Sequence, residues 1–140
     1  HVGVVPAFRN GFAYMQELHG SPYQQEMIAE INAPFSPALI VMDGIDTFVD
    51  GGPATGKRIK GNVMLAATDR VAVDAVGVAM LKHLGSNPAV MEPGIFELRQ
   101  IKRAAELGIG VRSTSDIDLV PADDASAGLS AALEKILSRG

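Results

Sequence analysis

The apolar residues of this chain fall into short runs whose spacing changes several times along its length. In "SPYQQEMIAEINAP" the residues Tyr23, Met27, Ile28 and Ile31 recur at helical spacing, and Pro34 ends the pattern. "PALIVMD" is a continuous apolar run rich in branched side chains, which predicts a buried strand ending at Asp43. Residues 44 to about 61 hold no sustained period and are rich in Gly, Asp and Lys, so a long loop is expected there. "NVMLAATD" is a second buried-strand candidate and runs directly into "RVAVDAVGVAMLKHLG". That segment predicts a helix capped by Asp69 and ended by Gly85.

"EPGIFELRQIKRAAELG" predicts the next helix, with Pro93 in its first turn, Gly108 at its stop, and Ile95, Leu98, Ile101 and Ala105 as its apolar stripe. "DIDLV" alternates like a short strand, and "ASAGLSAALEKILSRG" reads as a closing amphipathic helix. Helices alternating with apolar strands give the expected class: α/β, a layered domain with a small central parallel or mixed sheet flanked by helices. At 140 residues a single domain is expected. The chain opens on His1 and enters "VGVVP" at once, so it reads as a fragment of a longer protein.

Composition removes several kinds of chemistry. There is no Cys, which excludes disulfides, thiolate zinc sites, a cysteine nucleophile and an iron–sulfur cluster ligated from within the chain. A net charge of −4 and the scarcity of aromatic residues argue against nucleic-acid binding. The longest apolar stretch, "VAVDAVGVAML", is too short for a membrane span and contains an Asp. With no signal-peptide pattern, a cytoplasmic setting is expected.

"DGGPATGKR" matches most of a phosphate-binding P-loop: Gly51, four residues, then Gly56 and Lys57. Arg58 stands where the Mg²⁺-binding hydroxyl belongs, and a strand candidate follows instead of a helix. Two readings remain for the loop. Gly51, Gly52 and Gly56 permit tight turns stiffened by Pro53, or their amide groups hold an anion beside Lys57, Arg58 and Lys60.

The carboxylates are the other candidates. Asp43 and Asp69 each end an apolar run; parallel pairing would bring them to one sheet edge, and antiparallel pairing would send them to opposite edges. Asp69 also has a capping role open to it. Asp74 shares a helix face with Val71, Val78 and Leu81, and the opposite face is apolar too, so burial is expected. A buried carboxylate is either tied by internal donors or serves as a ligand or general acid/base. Asp46 and Asp50 read as loop residues, His19 as a turn residue, and His83 as a favourable charge in the last turn of its helix.

Taken in order, "VGVVP" with Arg9 and His19, "LIVMDGI", "GGPATGK", "NVMLAATDRVAVDAVG", and "ELGIG" with "DIDLV" resemble the Domain of Unknown Function 362 family. The most specific element is "ATDRVAVDAVG", in which Arg70 replaces the family's usual Pro. The resemblance singles out Asp43, Gly52, Pro53, Gly56, Asp69 and Asp74, and it adds Arg9 and His19 as ligand-binding candidates. It implies an accessory or ligand-binding domain of a redox protein, beside a ferredoxin-like module. Any iron–sulfur cluster would belong to another segment or partner. The family's earlier segment, carrying a Lys and polar residues, does not precede "GVVP" here, so part of a pocket would lie elsewhere. The competing reading is an enzyme. There Asp69 and Asp74 are the catalytic carboxylates and Asp43 and Asp69 hold a divalent cation. A small anionic substrate would lie on Gly51, Gly52, Gly56, Lys57, Arg9 and His19. A purely structural interaction module is the third reading.

Overall fold

The computed structural model describes residues 5–52 and 54–139. Helices α1 (Tyr14–Gly20) and α2 (Gln24–Glu30) precede a β-hairpin of β1 (Ile40–Gly51) and β2 (Gly56–Ala67). Helices α3 (Arg70–Leu84), α4 (Pro88–Met91), α5 (Arg99–Glu106) and α6 (Asp124–Leu137) complete the chain. The α/β class stands, with α3 packed on one face of the sheet and α5 and α6 packed on α3.

The sheet differs in one respect from the expected parallel or mixed arrangement: among the described residues it is a two-stranded antiparallel hairpin. The expected loop from 44 to 61 forms much of both strands. Its strand character is hidden because the register shifts between Gly44 and Asp46 and again between Phe48 and Asp50. Each bulge inserts a residue and breaks the period of two on which pattern reading depends. Ahead of the bulges the alternation is clean. Met42, Gly44, Val63 and Leu65 are partly covered, whereas Val41 and Met64 remain 57% and 56% exposed.

Helix α3 forms as its sequence dictates. Asp69 Oδ1 accepts the amide hydrogens of Val71 and Ala72, each at 2.8 Å, and Gly85 closes the helix at φ 79°. Val71, Ala75, Val76, Ala79 and Met80 are buried in one cluster with Ile95, Ile101, Leu133 and Leu137. Burying an aliphatic side chain of that size contributes roughly 1.5–3 kcal/mol.

The predicted helix over 92–108 is broken in two. Residues Ile95–Glu97 make a 3₁₀ turn whose start is held by Glu97 Oε2, which accepts from Gly94 N–H at 2.9 Å. Leu98 then turns extended, at ψ 126°, before α5 begins. The expected strand "DIDLV" forms no ladder; Thr114–Asp116 is a 3₁₀ turn and the following residues line a groove between β2 and α6. Among the described residues, no helix is long and apolar enough to cross a membrane.

Candidate functional site

Asp74 is the fifth residue of α3, on the side facing β1 and α5. Two adjoining cavities, of about 700 and 410 Å³, share Met42, Asp43, Asp74, Gln100 and Ile101 in their walls. The first extends towards α2 through Ile28, Asn32 and Arg70, and the second towards Thr47, Val78 and Leu81. Their combined walls are mostly apolar with a few polar groups, the usual make-up of a small-molecule site.

The polar groups are set by three different elements. Asp43 comes from β1, is exposed, and accepts the Ile45 N–H at 2.8 Å on Oδ1. Asp74 comes from α3 and is half-buried rather than fully buried as its all-round apolar helix predicts, because the cleft opens beside it. Gln100 comes from α5, and its Nε2 donates to Asp74 Oδ2 at 2.9 Å. Among the described residues Asp74 Oδ1 has no hydrogen-bond partner. Burial pushes the Asp74 carboxyl above the usual carboxylate range, and the Gln100 amide offsets part of that rise.

Arg70 also lines the larger cavity, yet its guanidinium is committed elsewhere. Nε donates to the Ile109 carbonyl at 3.0 Å, and Nη1 donates to the carbonyls of Asn32 and Phe35. It fastens the end of α2 and the loop after α5 to the start of α3. Among the described residues the cleft thus carries two carboxylates, the amides of Gln25, Asn32 and Gln100, and the Thr47 hydroxyl, and its lining arginine is already engaged. Among the described residues no Ser, His, Cys or Lys lines it. What it can do is accept hydrogen bonds from a ligand and complement a positive charge.

The other sequence candidates lie apart from this cleft. Asp69 faces away, because its Oδ1 caps α3 and its Oδ2 accepts the Val111 N–H at 3.0 Å. It lines the separate groove beside α6. Antiparallel pairing does not put Asp43 and Asp69 at opposite ends of the hairpin, since β1 continues eight residues past Asp43 to Gly51. Asp43 stands opposite Met64, five positions before Asp69.

Gly51 and Gly52, at φ 67° and 96°, and Gly56 make the tight hairpin turn, with Gly52 N–H bonded to Thr55 O at 2.6 Å. Pro53 lies outside the described residues, as do residues 2–4 of "VGVVP". Lys57 is paired in register with Asp50, Arg58 stacks on Phe48 with 5.6 Å to the ring centre, and Lys60 bonds Asp46 at 2.9 Å. The P-loop lookalike is a turn between two strands, with no helix N-terminus behind it. His19 closes α1, its Nδ1 lying 3.1 Å from Gln24 Nε2, and Arg9 sits in an exposed turn before α1. Among the described residues, no group of three or more His, Cys, Asp or Glu could hold a metal ion.

Sequence reasoning missed Gln100 and the clamp made by Arg70. Gln100 sits beside the apolar stripe of a polar helix and carries no local mark of its partner. Arg70 did carry one, as a long donor in the first turn of a helix where the family has Pro.

Comparison with known proteins adds one match. A family model described as Domain of unknown function (DUF362) matches residues 1–79, more than half of the chain. The matched span holds Arg9, His19, Asp43, the hairpin turn, Asp69 and Asp74, and ends within α3, ahead of Gln100. No curated protein and no solved structure matches.

Proposed function

Because the chain belongs to the family described as Domain of unknown function (DUF362), a kinship that assigns no chemistry, we propose its function from the cleft: it is a ligand-binding domain for a small organic cation, an amine. The observation that carries this reading is the meeting of Asp43, Asp74 and Gln100 in shared walls, with the lining Arg70 tied to three carbonyls. An ammonium group supplies the charge that a half-buried carboxylate lacks and the N–H donors that Asp74 Oδ1 can accept. The apolar remainder of the walls suits the ligand's carbon skeleton. An amine is favoured over a hard divalent cation, which takes six or more oxygen ligands in a regular shell.

In a redox protein such a domain would act as an accessory to an iron–sulfur module, the role that the family resemblance implies. The residues of this chain do not fit a cluster, since it has no Cys to ligate one. A ferredoxin-like partner would therefore bring its own.

Thermal unfolding followed by circular dichroism tests the binding role, using 1,4-diaminobutane, Mg²⁺, acetate and phosphate, with Asp74→Asn alongside. A ligand at a hundred times its dissociation constant adds about 2.7 kcal/mol, which raises the melting temperature by several degrees. The diamine is expected to produce that rise in the parent chain and not in a folded Asp74→Asn variant. A rise that persists in the variant, or one produced by Mg²⁺ or acetate instead, would reject the amine site.

A further inference from the structure

The segment before α1 contains a second, differently charged constellation. Arg9-Asn10-Gly11-Phe12 is a two-residue hairpin: Asn10 and Gly11 both adopt left-handed backbone, at φ 52° and 81°. Arg9 N–H bonds Phe12 O and Phe12 N–H bonds Arg9 O, each at 3.0 Å. Asn-Gly is the pair that such a turn favours, since both positions need positive φ. Two residues that exchange both hydrogen bonds carry their side chains on one face of the ribbon. The turn therefore puts the side chains of Arg9 and Phe12 on the same face.

The neighbouring rings extend that arrangement. Phe12 packs on Tyr14 with ring centres 4.8 Å apart. Arg9, Asn10, Tyr14 and Phe35, with Val5 and Pro6, line a cavity of about 370 Å³, near the lower end for small-molecule sites. Phe12, Tyr14 and Phe35 are 49%, 40% and 37% exposed. Arg58, Arg70, Arg99 and Arg103 are all engaged with rings, carbonyls or carboxylates. Among the described residues the Arg9 guanidinium has no hydrogen bond, ion pair or ring contact.

We propose that Arg9, Tyr14 and Phe35, with Phe12 behind them, form a site for a small aromatic carboxylate. The planar guanidinium presents two parallel N–H donors matched to a carboxylate, which a spherical cation does not. The rings give a flat apolar wall for a ring attached directly to that carboxylate. This site takes an anion, is separate from the Asp43–Asp74 cleft, and does not depend on it. The segment Asn32–Phe35 is common ground: Phe35 lines this cavity while its carbonyl receives Arg70 from the other.

The experiment is an amide and arginine-Nε NMR titration of the whole chain with benzoate, benzylamine and inorganic phosphate, repeated on Arg9→Gln. Benzoate is expected to move the Arg9 Nε–H and the amide signals of Phe12, Tyr14 and Phe35 along one saturable curve. Loss of a charge-assisted pair is expected to weaken that binding about tenfold or more in Arg9→Gln. Arg9 is exposed and its side chain holds nothing in place, so an unchanged spectrum elsewhere will show that the variant is folded. Asp74→Asn is expected to leave benzoate binding intact. The proposal is overturned by absence of saturation, by equal binding of benzylamine or phosphate, or by benzoate binding that survives Arg9→Gln.

Discussion

Asp69 Oδ2 accepts the amide hydrogen of Val111 at 3.0 Å, although the two residues are 42 positions apart. The same carboxylate caps α3 through its other oxygen, and Arg70 beside it reaches the Ile109 carbonyl. Adjacent residues of the "ATDRVAVDAVG" element thus grip both sides of Gly110. They join the hairpin-to-helix corner to the loop after α5.

Replacement of Asp69 by Ala removes the cap and the Val111 bond together. Each such interaction contributes on the order of 1 kcal/mol, so a loss of roughly 2 kcal/mol is expected in urea unfolding. Asp69→Asn can keep the cap but turns an amide group towards Val111 N–H, and is expected to fall between the two. Equal stability of all three chains would show that the carboxylate ties nothing.

Two glycines make a paired test of packing. A Cβ on Gly110 would lie 2.6 Å from Asp69 Oδ1 and 2.6 Å from Val71 Cγ2. Gly110→Ala must displace the clamp or a buried valine, and is expected to cost about 1–3 kcal/mol. Gly128, within α6, has nothing within 4 Å of the same position. Gly128→Ala is expected to stabilise the chain by roughly 0.5–1 kcal/mol, since Ala is the better helix former. Calorimetric melting temperatures moving in the same direction would count against this packing.

The pH dependence of Asp74 has a definite sign. Burial raises its carboxyl pKa in the folded chain, so the native state binds more protons than the unfolded state between the two values. Stability from this group is therefore present below the unfolded value and is lost as pH rises through the folded one. Asp74→Asn resembles the protonated form and should be the more stable chain near neutral pH. Its advantage should shrink as the pH is lowered through the carboxylate range. An advantage that stays constant or grows in acid would contradict the desolvation of this group.

The hairpin turn makes a further prediction. A Cβ on Gly56 would fall 2.3 Å from the Asp50 carbonyl oxygen, so Gly56→Ala is expected to destabilise the chain by more than about 1 kcal/mol. Mg²⁺–ATP is expected to leave the melting temperature unchanged in both the parent chain and Lys57→Ala, because no helix N-terminus follows the turn. A nucleotide-induced rise that Lys57→Ala abolishes would restore the P-loop reading.

What could be read from the sequence was local. Helix α3 needed only its own residues: an N-cap at Asp69, a stop at Gly85, and apolar residues on every face. The mismatch of "DGGPATGKR" with a phosphate loop was also legible, since Arg58 and the strand that follows are neighbours in the chain. The absence of Cys was legible too, and it rules out thiolate ligation of a metal or cluster by these residues. Strand pairing was hidden, because two bulges break the alternation that marks β1. The break at Leu98 was hidden as well, because it depends on how Gly94 and Glu97 close a 3₁₀ turn.

The candidate site divides in the same way. Asp43, Asp69 and Asp74 were recognisable as residues of interest from their places in apolar runs. Only the tertiary structure decided that Asp43 and Asp74 share a cleft while Asp69 turns to Val111. It alone placed Gln100 of α5 against Asp74 of α3. A side chain's own helix fixes which face it occupies through a 3.6-residue repeat. Its partner 26 or 42 positions away is fixed by how whole elements pack, a choice the local pattern does not encode.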